Sequence, residues 1–272
     1  PRNKHAAENS NNHDIKVLDA RYHVLKTSKY KDDSQVPTNN KAFASLCQLI
    51  STNKNSKGEP LLIQPQFCEP GRDSSAQRAS FNMSRVLDYY WQQHSQWGFD
   101  NNISANTQIL SLVHIGDHFD NAYWDEDNKF MVYGDGAGGR DRDSTNDYTL
   151  ALDIAGHEFT HAIVSNTANF AGPGEPGALN EAFADILGIL ISRWKDPKQS
   201  WDIGAKLYHN VDGDSDEIAL RSLANPGKFK TWSNINGKSV EVGFPDRYSK
   251  ALSLNEKCDD DNDQCEVHAN ST

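Results

Sequence analysis

The stretch His157-Glu158-Phe159-Thr160-His161 decides how this chain is read. It has the form H-E-x-x-H, and Ile154, Ala155, Ala162 and Ile163 flank it at helical spacing. On a helix, positions i and i+4 share a face, so His157 and His161 can grip one metal ion from adjacent turns. Glu158 then lies beside that ion, where a carboxylate can take a proton from a bound water.

A tetrahedral catalytic site needs a third protein ligand and an open position. The next helical pattern supplies one in Asn180-Glu181-Ala182-Phe183-Ala184-Asp185. If the two helices pack face to face, Glu181 reaches His157 and His161. Asp185, one turn further on, can accept a proton from a histidine ring nitrogen and so raise its basicity. Both carboxylates sit in a helix otherwise rich in apolar residues (Leu179, Phe183, Ile186, Leu187, Leu190), which argues against a merely solvated face.

Composition bounds the remaining choices. At 272 residues the chain can bury a substantial core, in one large domain or two smaller ones. Its net charge of −11 offers no basic stripe for phosphates, which argues against nucleic acid. No apolar run approaches the ~18 residues of a membrane span, so no membrane role is expected. The chain starts at Pro1 without an apolar leader, which reads as a mature form or a fragment whose export signal has gone. Four cysteines allow three pairings. The local loops favour Cys47 with Cys68 and Cys258 with Cys265, in keeping with a secreted protein. Sequons start at Asn82, Asn102 and Asn270.

Residues 1–14 are polar and read as a flexible tail. Residues 15–166 read as a β-rich domain that ends in the H-E-x-x-H helix, and 167–272 as a partial α-helical domain. Strand-like runs are Ile15 to Leu18, Ile109 to His114 and Phe130 to Tyr133. A helix is predicted over Ser75–Trp97, with Phe81, Val86, Leu87, Tyr90 and Trp91 as its apolar residues, and another over Tyr148–Asn166. A Gly/Pro-rich connector, 171–177, precedes a helix over Ala178–Lys195, and one more helix is predicted near Trp201–Tyr208. Gly134-Asp135-Gly136-Ala137-Gly138-Gly139 contains G-x-G-x-x-G, but a charged run follows it. It reads as a loop after an edge strand, not a dinucleotide cradle.

His157 to His161, followed by Gly177-Ala178-Leu179-Asn180-Glu181-Ala182-Phe183-Ala184-Asp185, resembles the thermolysin-like zinc metallopeptidases. Asn121-Ala122-Tyr123-Trp124, Met131 to Gly136, Arg221-Ser222-Leu223 and Val267 to Ser271 extend the likeness. It covers about Leu110 to the C-terminus, and the first hundred residues only loosely. The resemblance implies an α+β fold, with a β-rich N-terminal domain, an α-helical C-terminal domain and a cleft between them. It implies Zn2+ on His157, His161 and Glu181, with Glu158 as general base and Asn180 and Asp185 supporting the histidines. His268 would stabilise the oxyanion and Asp263 would orient it. Asn121 and the backbone of Ala122 and Trp124 would hold a peptide as an added strand, and Arg221 would bind a substrate carbonyl. Ile154, Ile203, Leu207 and Leu220 match positions lining an apolar pocket, which implies cleavage before bulky hydrophobic residues. An ordinary core role for these four reads equally well.

The sequence departs from that pattern in four places. Gly172 stands where the family has an oxyanion-assisting tyrosine. Of the family's double calcium site, Asp153 and Asp202 survive while Ser192, Ser200 and Ala205 occupy matching places, so loss of Ca2+ there is expected. The acidic runs Asp212 to Glu217 and Asp259 to Asp263 are alternative Ca2+ candidates. Cys258 and Cys265 bracket the loop carrying Asp263, and the chain ends at Thr272, before the family's final helical part. The reading is a secreted, monomeric zinc endopeptidase acting on peptides or proteins. Its rival is a weakly catalytic or inactive member that binds peptides.

Overall fold

The computed structural model describes residues 15–19, 74–102, 109–115, 118–127, 129–138, 144–170, 172, 174–208, 218–235 and 238–246. The 1–14 tail, the four cysteines, Asp263, His268, Asn270 and the acidic runs 212–217 and 259–263 lie outside them.

A four-stranded sheet has the order β1-β2-β4-β3. Its strands are β1 (Ile15–Asp19), β2 (Ile109–Val113), β3 (Ala122–Asp125) and β4 (Phe130–Tyr133). β1 and β4 run parallel to β2, and β3 runs antiparallel to β4, with Ala122 opposite Tyr133 and Trp124 opposite Met131. β4 is therefore interior, not the edge strand expected from sequence; β3 forms the edge. Strand alternation splits the apolar residues between the two faces. Ile109, Val113, Met131 and Tyr133 join the main core with the helices, while Leu112, Phe130 and Val132 pack on the other face with Ile115.

Two helices pack on the first face, and a third packs against them. α1 (Ser74–Tyr89) continues into a π-helical turn, Tyr90–His94. Its buried stripe is Ala76, Ala79, Met83, Val86, Leu87 and Tyr90. Phe81, placed in the apolar set from sequence, faces out and lies under the Arg85 guanidinium instead. Asn82 is buried and its Nδ2 donates to the Thr149 carbonyl at 2.8 Å, so that sequon cannot carry a glycan in the fold.

A 3-10 turn, Tyr148–Leu150, leads into α2 (Leu152–Ser165), the H-E-x-x-H helix. α3 (Glu175–Lys195) starts inside the stretch read as connector, because Pro176 falls in the first turn, where its missing N–H costs nothing. Gly156 on α2 meets Gly188 on α3, and the two helices lie close along their length. The helix expected near Trp201–Tyr208 is instead a short strand, β5 (Asp202–Ile203), and a 3-10 turn, Ala205–Leu207. β5 pairs antiparallel with β6 (Arg221–Ser222), and a 3-10 turn, Pro226–Lys228, follows. β7 (Lys230–Ile235) and β8 (Lys238–Gly243) form a separate hairpin. Among the described residues, no helix is long and apolar enough to cross a membrane.

Candidate active site

α2 presents His157 and His161 to α3, and α3 returns Glu181 and Asp185. The inward face of α3 buries Asp185, 1% exposed, among Ala184, Gly188, Ile189 and Ile191, whereas Leu179, Phe183 and Ile186 face outward. The two His Nε2 atoms are 3.1 Å apart. Glu181 approaches His157 Nε2 at 3.3 Å through Oε2 and His161 Nε2 at 3.5 Å through Oε1. Ligands on a tetrahedral zinc stand roughly 3.3–3.6 Å apart, from bond lengths of about 2.0–2.2 Å. The observed separations cluster around that edge length.

The far side of each ring is held. His157 Nδ1 lies 2.8 Å from Asp185 Oδ1. His161 Nδ1 lies 3.0 Å from Asn180 Oδ1, and Asn180 Nδ2 donates to the Phe170 carbonyl, which fixes the amide's orientation. These acceptors select the Nδ1–H tautomer on both rings and turn the Nε2 lone pairs toward Glu181. Lone pairs converging with a carboxylate on one small volume repel one another unless a cation lies among them. Among the described residues this is the one group of three or more His, Cys, Asp or Glu side chains placed to share an ion. The donor set fits zinc.

The surrounding carboxylates favour positive charge at His157, carried there either by a proton or by an ion that replaces it. Burial alone would push the His157 imidazole down. Hydrogen bonds to Asp185 and Glu181, with the charge of Glu158, outweigh it and hold the ring at about 10. Burial would raise Asp185, but the Arg221 charge and the bonds from His157 and Arg221 hold it well below the usual carboxylate range. Arg221 grips Asp185 with two bonds, Nε to Oδ2 and Nη2 to Oδ1, each 2.5 Å. Burial also pushes the Glu158 carboxyl up, partly offset by His157 and His161. A carboxyl whose basicity is raised suits a proton acceptor.

Comparison with known proteins fits this site. Residues 3–165 match the thermolysin metallopeptidase catalytic domain, and 168–272 match the thermolysin metallopeptidase alpha-helical domain. The chain belongs to the thermolysin metallopeptidase family. It is 35% identical over 179 residues to bacillolysin of Bacillus caldolyticus, covering 65% of this chain and 28% of that protein. To neutral protease NprE of Bacillus pumilus it is 33% identical over 202 residues, 73% of this chain and 56% of the relative. The matched stretches thus span well under two thirds of these relatives' length. The precursor of protealysin, a metalloproteinase from Serratia proteamaculans, shares the fold with a TM-score of 0.58 at 21% identity. That alignment covers 92% of this chain and 75% of the other.

Within this thermolysin-type site, the structure brings together His157, His161, Glu181, Glu158, Asp185, Asn180, Arg221 and Trp124. The Trp124 backbone N–H, on β3 at the sheet's edge among the described residues, donates to Glu158 Oε2 at 3.1 Å. The amide expected to hold a peptide therefore also holds the Glu158 carboxylate. Ala122 N–H is bonded to the Asn121 side-chain oxygen at 2.9 Å. Arg221 lies behind Asp185 and is bonded to it, outside the group of His157, His161 and Glu181. Ile154, Ile203 and Leu207 are buried with Leu220 packed against them. Sequence reading missed the Gly156–Gly188 contact and the bond from Tyr90 to Thr160. The glycines carried a signal: one sits immediately before His157, the other three residues after Asp185.

Proposed function

We propose that this chain is a zinc-dependent endopeptidase, with Glu158 as general base and a preference for a bulky hydrophobic residue after the scissile bond. The observation that carries this reading is the convergence of His157 Nε2, His161 Nε2 and the Glu181 carboxylate within 4.8 Å, with Glu158 Oε1 3.9 Å from His157 Nε2. Zinc held there would acidify a water and polarise a peptide carbonyl. Glu158 takes the proton from the attacking water and later delivers it to the leaving amine. Burial raises the basicity of that carboxylate, while the Trp124 N–H aims it and offsets part of the rise.

The open edge of β3 receives the peptide backbone as an added strand, with the Asn121 side chain and the Ala122 and Trp124 main chain as its polar contacts. A peptide docked there competes with Glu158 for the Trp124 N–H, which loosens the base as substrate arrives. Arg221, fixed through Nε and Nη2, has Nη1 left to reach a substrate carbonyl. Ile154, Ile203, Leu207 and Leu220 supply the apolar surface for the residue after the cleaved bond. His268, oriented by Asp263, completes the oxyanion side, compensating for Gly172 where the family has tyrosine. The domains 15–166 and 167–272 flank this cleft. The protein works outside the cell as a monomer, on peptides or proteins.

The test is hydrolysis of peptides with a hydrophobic residue after the scissile bond, by the purified chain beside Glu158→Gln, with zinc measured on both. Equal zinc and a loss of at least ~100-fold in kcat for the variant are expected. Zinc on both with no cleavage by either would leave a peptide-binding member of the family.

A further inference from the structure

The clip formed by β5 and β6 places Ile203 opposite Arg221, so it sets where Arg221 meets Asp185. Two buried carboxylates secure this clip, and each is already taken by a donor of the chain. Asp153, one turn before His157 on α2, accepts the Gly204 N–H through Oδ2 at 2.7 Å. Asp202 accepts the Lys228 ammonium through Oδ2 at 2.8 Å, with side-chain exposures of 8% for Asp202 and 37% for Lys228. Lys228 reaches it from the 3-10 turn that follows β6.

The family's double calcium site does not fit this arrangement. A pair of dications wants several anionic oxygens each. Here the matching places hold Ser192, Ser200 and Ala205, and the two remaining carboxylates point into internal bonds. Asp153 and Asp202 also belong to no group of three or more His, Cys, Asp or Glu side chains able to share an ion, among the described residues.

We propose that Lys228 is the built-in cation of this clip, neutralising Asp202 so that the clip closes without calcium. One lysine on the 3-10 turn does for Asp202 what an external ion would do, and its occupancy does not depend on calcium in the medium. Removing the ammonium alone leaves a buried carboxylate without its counter-charge, which is costly. Removing both partners together restores balance.

Thermal unfolding of the zinc-loaded full chain, with and without added calcium, tests this without any need for peptidase activity. Lys228→Met should lower Tm by about 5 °C, and Lys228→Arg should hold it near wild type. The double variant Asp202→Asn/Lys228→Met should recover most of the loss. If Lys228→Met alone does not accumulate folded, recovery by the double variant decides the matter. Any calcium response, such as one from the acidic runs elsewhere, should be unchanged in Asp202→Asn. A Lys228→Met protein that melts with wild type, or a calcium stabilisation abolished by Asp202→Asn, would overturn the proposal.

Discussion

Gly156 and Gly188 touch across α2 and α3, so that a Cβ on Gly156 would sit 3.1 Å from the Gly188 Cα. A Cβ on Gly188 would lie 2.4 Å from the Asp153 carbonyl oxygen and 3.1 Å from the His157 nitrogen. The two helices that present His157, His161 and Glu181 are thus separated by the thickness of bare backbone. Glu181 and His157 meet because nothing projects between their helices there.

Gly188→Ala is expected to push α3 off α2 by a few tenths of an ångström or more, since the nearest atoms are backbone and cannot swing away. Overpacking of this kind costs typically 1–3 kcal/mol. The separations around the ion site would widen at the same time. Thermal melts should therefore show a lower Tm, and zinc titration a weaker affinity; an unchanged zinc affinity would separate the glycine contact from the site.

Asp185→Asn should be worse than its size implies. The wild-type carboxylate answers both the Arg221 guanidinium and the His157 ring. An amide leaves Arg221 buried without its counter-charge, a loss of about 3–5 kcal/mol for such a pair. The His157 ring also loses its anionic partner, so zinc affinity should fall about 10–100-fold. Asn180→Ala removes only a neutral acceptor from His161 and should weaken zinc less. Zinc competition titrations on the two variants check the order, and equal losses would contradict it.

The sequence alone carried the candidate metal-ligand group well and the architecture unevenly. H-E-x-x-H and Glu181 were legible because helical spacing is local and metal ligands are of few types. Asp185 was legible for the same reason. The outward turn of Leu179, Phe183 and Ile186 was not, because hydrophobicity says nothing of direction once a helix must point its acids inward. Pro176 suggested a connector, although the first turn of a helix accepts proline. The short strand Asp202–Ile203 escaped because its pairing with Arg221–Ser222 is set by distant residues. The sequence marks Trp124 as a peptide holder, and a backbone donor has no signature that would also reveal its bond to Glu158.

Asp147 ties α1 to the start of α2 and gives the fold an acid-sensitive joint. It caps the 148–150 turn through the Thr149 N–H and meets Arg78 Nη2 at 2.6 Å. It also bonds the Ser75 hydroxyl. Burial would raise its pKa, yet these bonds and the Arg78 charge hold it below the ordinary carboxylate value. A depressed folded-state pKa contributes stability that is present above the unfolded value of about 3.9 and is lost as pH falls through the folded one. Asp147→Asn keeps a capping oxygen but removes the charge. The Tm gap between wild type and this variant should be widest near pH 6 and close as pH drops below about 4; a constant gap would assign the residue a packing role alone.

The Tyr90 hydroxyl lies 2.6 Å from Thr160 Oγ1, and that hydroxyl in turn donates to the Gly156 carbonyl at 2.7 Å. Because Thr160 gives its proton to Gly156, Tyr90 must donate to Thr160. The asymmetry predicts unequal costs for removing each partner. Tyr90→Phe takes away one donor and leaves Thr160 still bonded to Gly156, a loss of about 1 kcal/mol. Thr160→Val strands a buried phenol O–H, for about 1–3 kcal/mol. The double variant should cost less than the sum, because the stranded group is gone. Zinc content should stay at wild-type level in all three, since His157 and His161 keep their own Nδ1 partners. Chemical denaturation of the four proteins measures the cycle. Additive losses, or a Tyr90→Phe penalty larger than that of Thr160→Val, would show that the pair is not coupled in the direction drawn here.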